Sequence, residues 1–403
     1  MEISNNKLIN QNMGNGFICS IFGAKYKDIQ RQYGMTDLEI GLRPNQTLYE
    51  LNALLQCLCH IEDLVNYFKY KYNDDEVKSR ENFKNNMRNG TCLADGFKNI
   101  VFELWPDLNT DNKNKKEVKI HKETRGSNEF SQMIYKINPQ YNGNQDHLLK
   151  FLQKRLHDEL NKATKENNNT PNIVDYSNKQ ASLNNYIKNF AKTNKSIISD
   201  IFYGTFCSNS QFFCGHVEYD FQYYTYGFYS FQQVLQYKIM TYQSRQNPLY
   251  INKNFNMNEI DVYDCLFFDR QIKNGFSICK KCSIQQGFKR ENFIFSPPKI
   301  LCFAFNKNEN IPITNFVIET QININQFVEN KEMINYDLIG IIVYFHPNRY
   351  VAYCKNPTNL IWYMYDNEKV EKINIREIIM NKYIPFMLFY QSMKLFNHIH
   401  LIK

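Results

Sequence analysis

Cys279 and Cys282 flank two lysines, the spacing at which a pair of thiolates binds one zinc ion, with a second pair of ligands needed to close the tetrahedron. The role this implies is structural, because nothing in the stretch suggests an open coordination position beside a reacting carbonyl. The other cysteines are scattered, and their total of 11 is odd, so a complete disulfide framework is impossible and a reducing compartment is expected. Cys57 and Cys59 sit in an apolar, helix-patterned stretch and read as buried thiols.

The elements that would position such groups follow from the apolar pattern. Leu51, Leu54, Leu55, Leu58, Ile61 and Leu64 recur at helical spacing, which predicts a helix running to Phe68, its first turn capped by Thr47. A second helix is predicted from His147 to Leu160, on the stripe of Leu148, Leu152, Leu156 and Leu160, and packed against the first. Residues 161–195 are rich in Asn and Lys and poor in strong apolar residues, so they read as a largely disordered insert. After Ile197 the chain turns to aromatic and β-branched runs separated by turn residues. Helices first and strands afterwards indicate an α+β fold.

Composition sets the outer bounds. A hydrophobic share of 43% with 15% aromatics excludes a disordered chain. No apolar run approaches the ~20 residues of a membrane-spanning helix, and the N-terminus lacks the basic-then-apolar order of a secretory signal. The protein is therefore expected to be intracellular, cytoplasmic or nuclear, with no membrane partner. The net charge of +8 is spread through Asn- and Lys-rich stretches such as 109–125. Such stretches read as solvated loops rather than a phosphate-binding face, and no nucleic-acid partner is expected.

Separated segments then converge on one resemblance. Residues 41–58, GLRPNQTLYELNALLQCL, resemble the nucleophile box of the ubiquitin-specific proteases, papain-like deubiquitinases; residues 349–370, RYVAYCKNPTNLIWYMYDNEKV, resemble their histidine box. DIFYGTF, DCL at 264–266, CKKC, PPKILCF and IPFMLFY follow in the family's order, so the likeness spans residues 41–390. It implies a papain-like α+β fold shaped as a thumb (about 41–195), fingers (about 203–290) and a palm (about 291–395), within one domain over 41–395 behind an N-terminal arm, 1–40.

The resemblance also implies a catalytic site, and here the chain departs from the pattern. The nucleophilic cysteine position falls on Leu48, which has no lone pair. The histidine position falls on Arg349, whose guanidinium is too basic to take up a proton at neutral pH. Only the orienting acid is kept, as Asp366, and the oxyanion asparagine position falls on Arg43 or Pro44. Cys57, Cys59 and His346 are the nearest residues in sequence that could substitute. The family's second zinc knuckle corresponds to residues 211–216, where Gln211 replaces one ligand. Cys214 would then join Cys279 and Cys282, with Cys207 or His216 as the fourth ligand. Gln145 and Asp146 remain from the run with which the family contacts the ubiquitin tail. The expectation is a catalytically inactive deubiquitinase-like protein that binds ubiquitin or ubiquitinated protein, or serves as a scaffold in a larger complex. The alternative is an active thiol isopeptidase cleaving after the C-terminal glycine of ubiquitin.

Overall fold

Asn45 fixes how the first helix begins. Its side-chain Oδ1 accepts from the Thr47 N–H (3.0 Å), the Thr47 hydroxyl (3.0 Å) and the Leu48 N–H (2.9 Å). Asn45 therefore closes a side-chain turn ahead of the first helix, whose own N-terminal residue, Glu50, makes no side-chain cap, so the expected cap at Thr47 is not formed. The computed structural model describes residues 39–45, 47–79, 90–106, 126–141, 148–163, 175–243, 256, 258–306, 315–329, 334–381 and 383–393.

The expected long helix is broken. Helix α1 spans Leu51–Cys59, α2 spans Glu62–Asn66, and a π turn covers Tyr67–Lys71. Side chains claim the last carbonyls of α1: His60 Nδ1 bonds the Gln56 carbonyl at 2.7 Å and Trp105 Nε1 donates to the Cys59 carbonyl at 2.7 Å. With those acceptors taken, Ile61 leaves the helical region and the chain restarts. Helices α3 (Asp74–Ser79), α4 (Leu93–Leu104), α5 (Gly126–Ile137) and α6 (Leu148–Leu160) complete the first layer. The buried Glu159 carboxylate of α6 accepts from the leading amides of α4, Leu93 N–H at 3.1 Å and Ala94 N–H at 2.7 Å, and so joins the two helices.

Residues 179–193 correct the sequence reading. In place of a disordered insert, Lys179–Thr193 forms helix α7, capped by Asn178. Tyr186 and Phe190 supply its apolar contacts, stacking near Phe221 and Tyr223 of the next sheet. Two aromatics anchor what composition alone makes look soluble. Helix α8 (Ile197–Phe202) follows.

The strands are β1 (Gly204–Phe212), β2 (Val217–Tyr224), β3 (Gly227–Tyr229), β4 (Glu259–Asp261), β5 (Lys273–Ile278), β6 (Gln285–Ser296) and β7 (Ile300–Phe305). Then come β8 (Asn315–Val317), β9 (Gln321–Asn323), β10 (Asn335–Phe345), β11 (Arg349–Lys355), β12 (Trp362–Asp366), β13 (Lys369–Ile373) and β14 (Pro385–Ser392). Helices α9 (Phe231–Gln243), α10 (Val262–Asp269) and α11 (Ile375–Met380) are interspersed. One sheet has the order β2-β1-β6-β5; the large sheet runs β13-β12-β11-β10-β14-β7-β3, with β9 also on β10, and β4 pairs β8.

The central strands of the large sheet, β7, β10, β11 and β14, are buried on both faces, and their side chains alternate between two cores. Ile342, Ala352, Cys354 and Phe389 meet α1 and the other early helices. Ile341, Val343, Val351 and Leu388 face the core shared with α9, α10 and α11. Gly340 lets α1 approach β10, since a Cβ there would lie 3.2 Å from Cys57 Sγ.

Candidate functional site

Three segments distant in sequence meet at the start of α1. The strand-like stretch before it lies against the β12–β13 turn: Leu42 N–H donates to the Asn367 carbonyl at 3.0 Å, and Asn52 Nδ2 reaches the Asn367 Oδ1 at 2.8 Å and the Arg43 carbonyl at 2.7 Å. Contact is so close at Gly41 that a Cβ would stand 2.4 Å from the Asn367 carbonyl oxygen. Only glycine fits there.

At the helix start, Leu48 is 3% exposed and belongs to the helical core, while its neighbour Tyr49 is 47% exposed. The Leu48 N–H is already used, donating to Asn45. Sequence reasoning passed over Asn45, although Asn two residues before Thr is the signature of a side-chain turn. Arg43 pairs with Glu368 at 3.6 Å, and Pro44 is exposed. Glu50 is buried and accepts from the Tyr350 hydroxyl, so the first turn of α1 is tied to β11.

Across from this start, Arg349 opens β11 and bonds Asp366, the last residue of β12. Its Nε and one terminal nitrogen donate to the same Asp366 Oδ2 at 3.1 and 2.7 Å. The carboxylate bond raises the already high basicity of the guanidinium, which also lies 5.2 Å from the Phe345 ring centre. Asn348 turns the chain into β11 with φ 56°, a left-handed conformation that Asn tolerates. Arg349 and Asp366 thus meet at the ends of β11 and β12, Leu48 lies ahead of the start of α1, which Asn52 ties to Asn367 beside Asp366, and the acid's partner is a permanent cation.

Cysteines near this region are buried and held. Cys57 Sγ lies 3.7 Å from Cys354 Sγ, and burial pushes the Cys59 and Cys354 thiols well up. His60 Nε2 is engaged with the Tyr365 hydroxyl at 3.0 Å, and that hydroxyl donates to Glu39. Glu39 and Ile40, read as the end of an N-terminal arm, are therefore docked: Glu39 also accepts from Asn356, and the Ile40 carbonyl from Gln56 at 2.9 Å. His346 is exposed in the turn before Arg349. Gln145 and Asp146 lie outside the described residues.

A second cluster sits at the tip of the four-stranded sheet. Cys214 Sγ is 3.7 Å from Cys279 Sγ and 3.9 Å from Cys282 Sγ. With Zn–S bonds of about 2.3 Å, the edge of a tetrahedron is about 3.8 Å. Three thiols thus already stand at metal-site spacing. His216, Glu218 and Cys279 form an overlapping group with ligand atoms within 4.8 Å of one another. Cys207, the other expected fourth ligand, is buried within β1 opposite Phe221 and Phe293 and belongs to neither group. At about 3.3 Å per residue, the five residues from Cys207 to the end of β1 at Phe212 set it roughly 16 Å back from the turn that holds Cys214. His216 is the nearer nitrogen ligand.

Residues 47–390 match the family model described as ubiquitin carboxyl-terminal hydrolase. The chain belongs to that family. Among solved structures, the hydrolase-family chain is similar to the SAGA DUB module of Ubp8, Sgf11, Sus1 and Sgf73 bound to monoubiquitin, at 17% identity and TM-score 0.57 over 97% of this chain and 77% of that one. The module bound to ubiquitin aldehyde matches at 17% identity and TM-score 0.58 with the same coverage. A yeast module carrying an Sgf73 mutant matches at 17% identity and TM-score 0.57, over 97% and 76%. At this identity the likeness establishes the fold, and the α+β, papain-like deubiquitinase fold expected from the sequence is the one found. Among the described residues no helix is long and apolar enough to cross a membrane.

Proposed function

We propose that this member of the ubiquitin carboxyl-terminal hydrolase family binds ubiquitin or ubiquitinated protein without hydrolysing it, and works as a reader or scaffold within a larger assembly. The observation that carries the reading is the Arg349–Asp366 pair; with Arg349 taken, from the resemblance, as the family's histidine position, a guanidinium would stand where an imidazole has to shuttle a proton. Leu48, packed in the core, adds no nucleophile, and the exposed side chain beside it is a phenol. In the family's architecture the helices up to α8 form the thumb, the four-stranded sheet the fingers, and the large sheet the palm. Gln145 and Asp146 would meet the ubiquitin tail, Asp146 by charge-assisted hydrogen bonds. The solved relatives named as bound to monoubiquitin and belonging to a multiprotein module support a ubiquitin partner and membership of a complex.

The active-isopeptidase reading rests on family membership. Loss of nucleophile and base together costs on the order of 10⁶-fold in a worked triad, and among the described residues no Cys–His pair stands beside Asp366. At the fingertip, Cys214, Cys279, Cys282 and His216 would hold a zinc ion, which would cross-link the ribbon and take no part in bond cleavage.

Calorimetric titration with monoubiquitin, run beside a fluorogenic assay of the ubiquitin C-terminal amide, tests the reading. Binding near ~1 µM, about 8 kcal/mol, weakened by Asp146→Arg and accompanied by no hydrolysis, is the expected result. Turnover would overturn the inactive reading, and absence of heat at millimolar ubiquitin would leave a scaffold without a ubiquitin site.

A further inference from the structure

Strand β5 is an outer strand of the four-stranded sheet, paired with β6 alone. The register is unbroken from Lys273 opposite Arg290 to Ile278 opposite Gln285, and beyond it the Cys279 N–H donates to the Ile284 carbonyl at 3.1 Å. Inward and outward backbone groups alternate along an antiparallel ladder. Gly275 and Ser277 therefore turn theirs towards β6, and Asn274, Phe276 and Ile278 turn theirs to the open edge.

The side chains along this edge are apolar. Phe276 and Ile278 share one face, exposed to 78% and 62%. Phe276 lies opposite Gly287, and the ring of Phe213 covers that glycine on the same face: a Cβ on Gly287 would stand 2.5 Å from Phe213 Cε2. Phe213 is itself 74% exposed. Soluble proteins shield such edges with charge, proline or a bulge; β5 has one lysine at its first position and neither of the other devices.

Charge selects the occupant. β5 contains no acidic residue, Lys273 stands at one end, Lys281 lies in the turn at the other, and Lys289 is opposite Asn274 on the apolar face. A second copy pairing antiparallel through β5 would bring Lys273 of each chain towards Lys281 of the other, Lys280 being paired with Glu218, and like charge disfavours that approach. We propose that the β5 edge takes an extended segment of a partner protein as a fifth strand. Its apolar residues, at alternate positions, lie on Phe213, Phe276 and Ile278, and its acidic flanks face the lysines. This edge belongs to the four-stranded sheet, whereas Arg349 and Asp366 belong to the large one.

The test is fluorescence anisotropy of the full chain with a labelled peptide of sequence EEVTVTVEE. The expected result is saturable binding in the micromolar range, weakened at least ~10-fold when the flanks are Lys. Phe276→Pro removes an outward N–H at an edge position where proline is tolerated, and should weaken binding by a similar factor with an unchanged melting temperature. Phe276→Lys, which keeps the backbone donor but charges the apolar strip, should do the same. Equal binding of the Lys-flanked peptide, indifference to both variants, or no binding at about 1 mM would overturn the proposal. Concentration-dependent dimerisation abolished by Phe276→Pro would overturn it in favour of a second copy.

Discussion

Arg349 and Leu48 differ in what their removal should cost. Arg349 is 54% exposed in its ion pair with Asp366, so solvent screens the attraction, and Arg349→Ala should lower stability by less than ~1 kcal/mol in denaturant unfolding. Leu48 is enclosed, and Leu48→Ala should cost ~2–4 kcal/mol because a cavity is left behind. A catalytic remnant with no packing role would show the reverse order. The same burial predicts thiol chemistry: a cysteine introduced at Tyr49, whose side chain is exposed, should react with maleimide at least ~10-fold faster than one introduced at Leu48. Equal rates would mean that the start of α1 opens in solution.

Between elements, the decisive contacts are close approaches. Gly41→Ala drives a Cβ into the Asn367 backbone, where no flexible side chain can yield, and should cost ~1–3 kcal/mol; an unchanged denaturation midpoint would show that the stretch does not dock. Where the two sheets adjoin, Asp269 ends α10 and accepts from the Tyr229 hydroxyl of β3 at 2.5 Å. Burial pushes its carboxyl up from 3.8 to about 6, against the bond to Tyr229 and the charge of Lys273. A raised carboxyl pKa means that the folded state holds the proton more tightly than the unfolded chain. Its contribution is therefore fully present below about pH 4 and is lost as pH rises through about 6, amounting to about 3 kcal/mol. Asp269→Asn should flatten that part of the stability–pH curve; a slope that persists would assign it to other groups.

Across the whole molecule, one sheet of alternating faces carries two cores, and a ligand bridging the early helices and both sheets would stabilise them together. Under the proposed reading, monoubiquitin at about 100 times its Kd should add ~2.7 kcal/mol to unfolding, visible as a higher melting temperature. Metal acts more locally. If the fingertip holds zinc, the purified chain should carry about one equivalent by elemental analysis, lost in Cys282→Ser and kept in Cys207→Ser. Loss in Cys207→Ser as well would contradict the separation of that residue from the tip.

The amino-acid sequence alone specified an α+β order of elements, because its helical stripe and later aromatic runs carry the periodicities of helix and strand through 3.6- and 2-residue repeats, and the ordered motifs across residues 41–390 carried the resemblance to the family. It also displayed the residue types at positions 48, 349 and 366, since identity is local information. Contacts between distant segments were not legible in this way. The helix at Lys179–Thr193 has little apolar content of its own and forms against Phe221 and Tyr223, which lie further along the chain. Cys207 and His216 looked interchangeable as ligands until the pairing of β1 with β2 and β6 placed one inside the sheet and the other at its tip. The burial of Leu48, the capture of Asp366 by Arg349 and the open edge of β5 likewise arise from chain pairing in space, which no local pattern encodes.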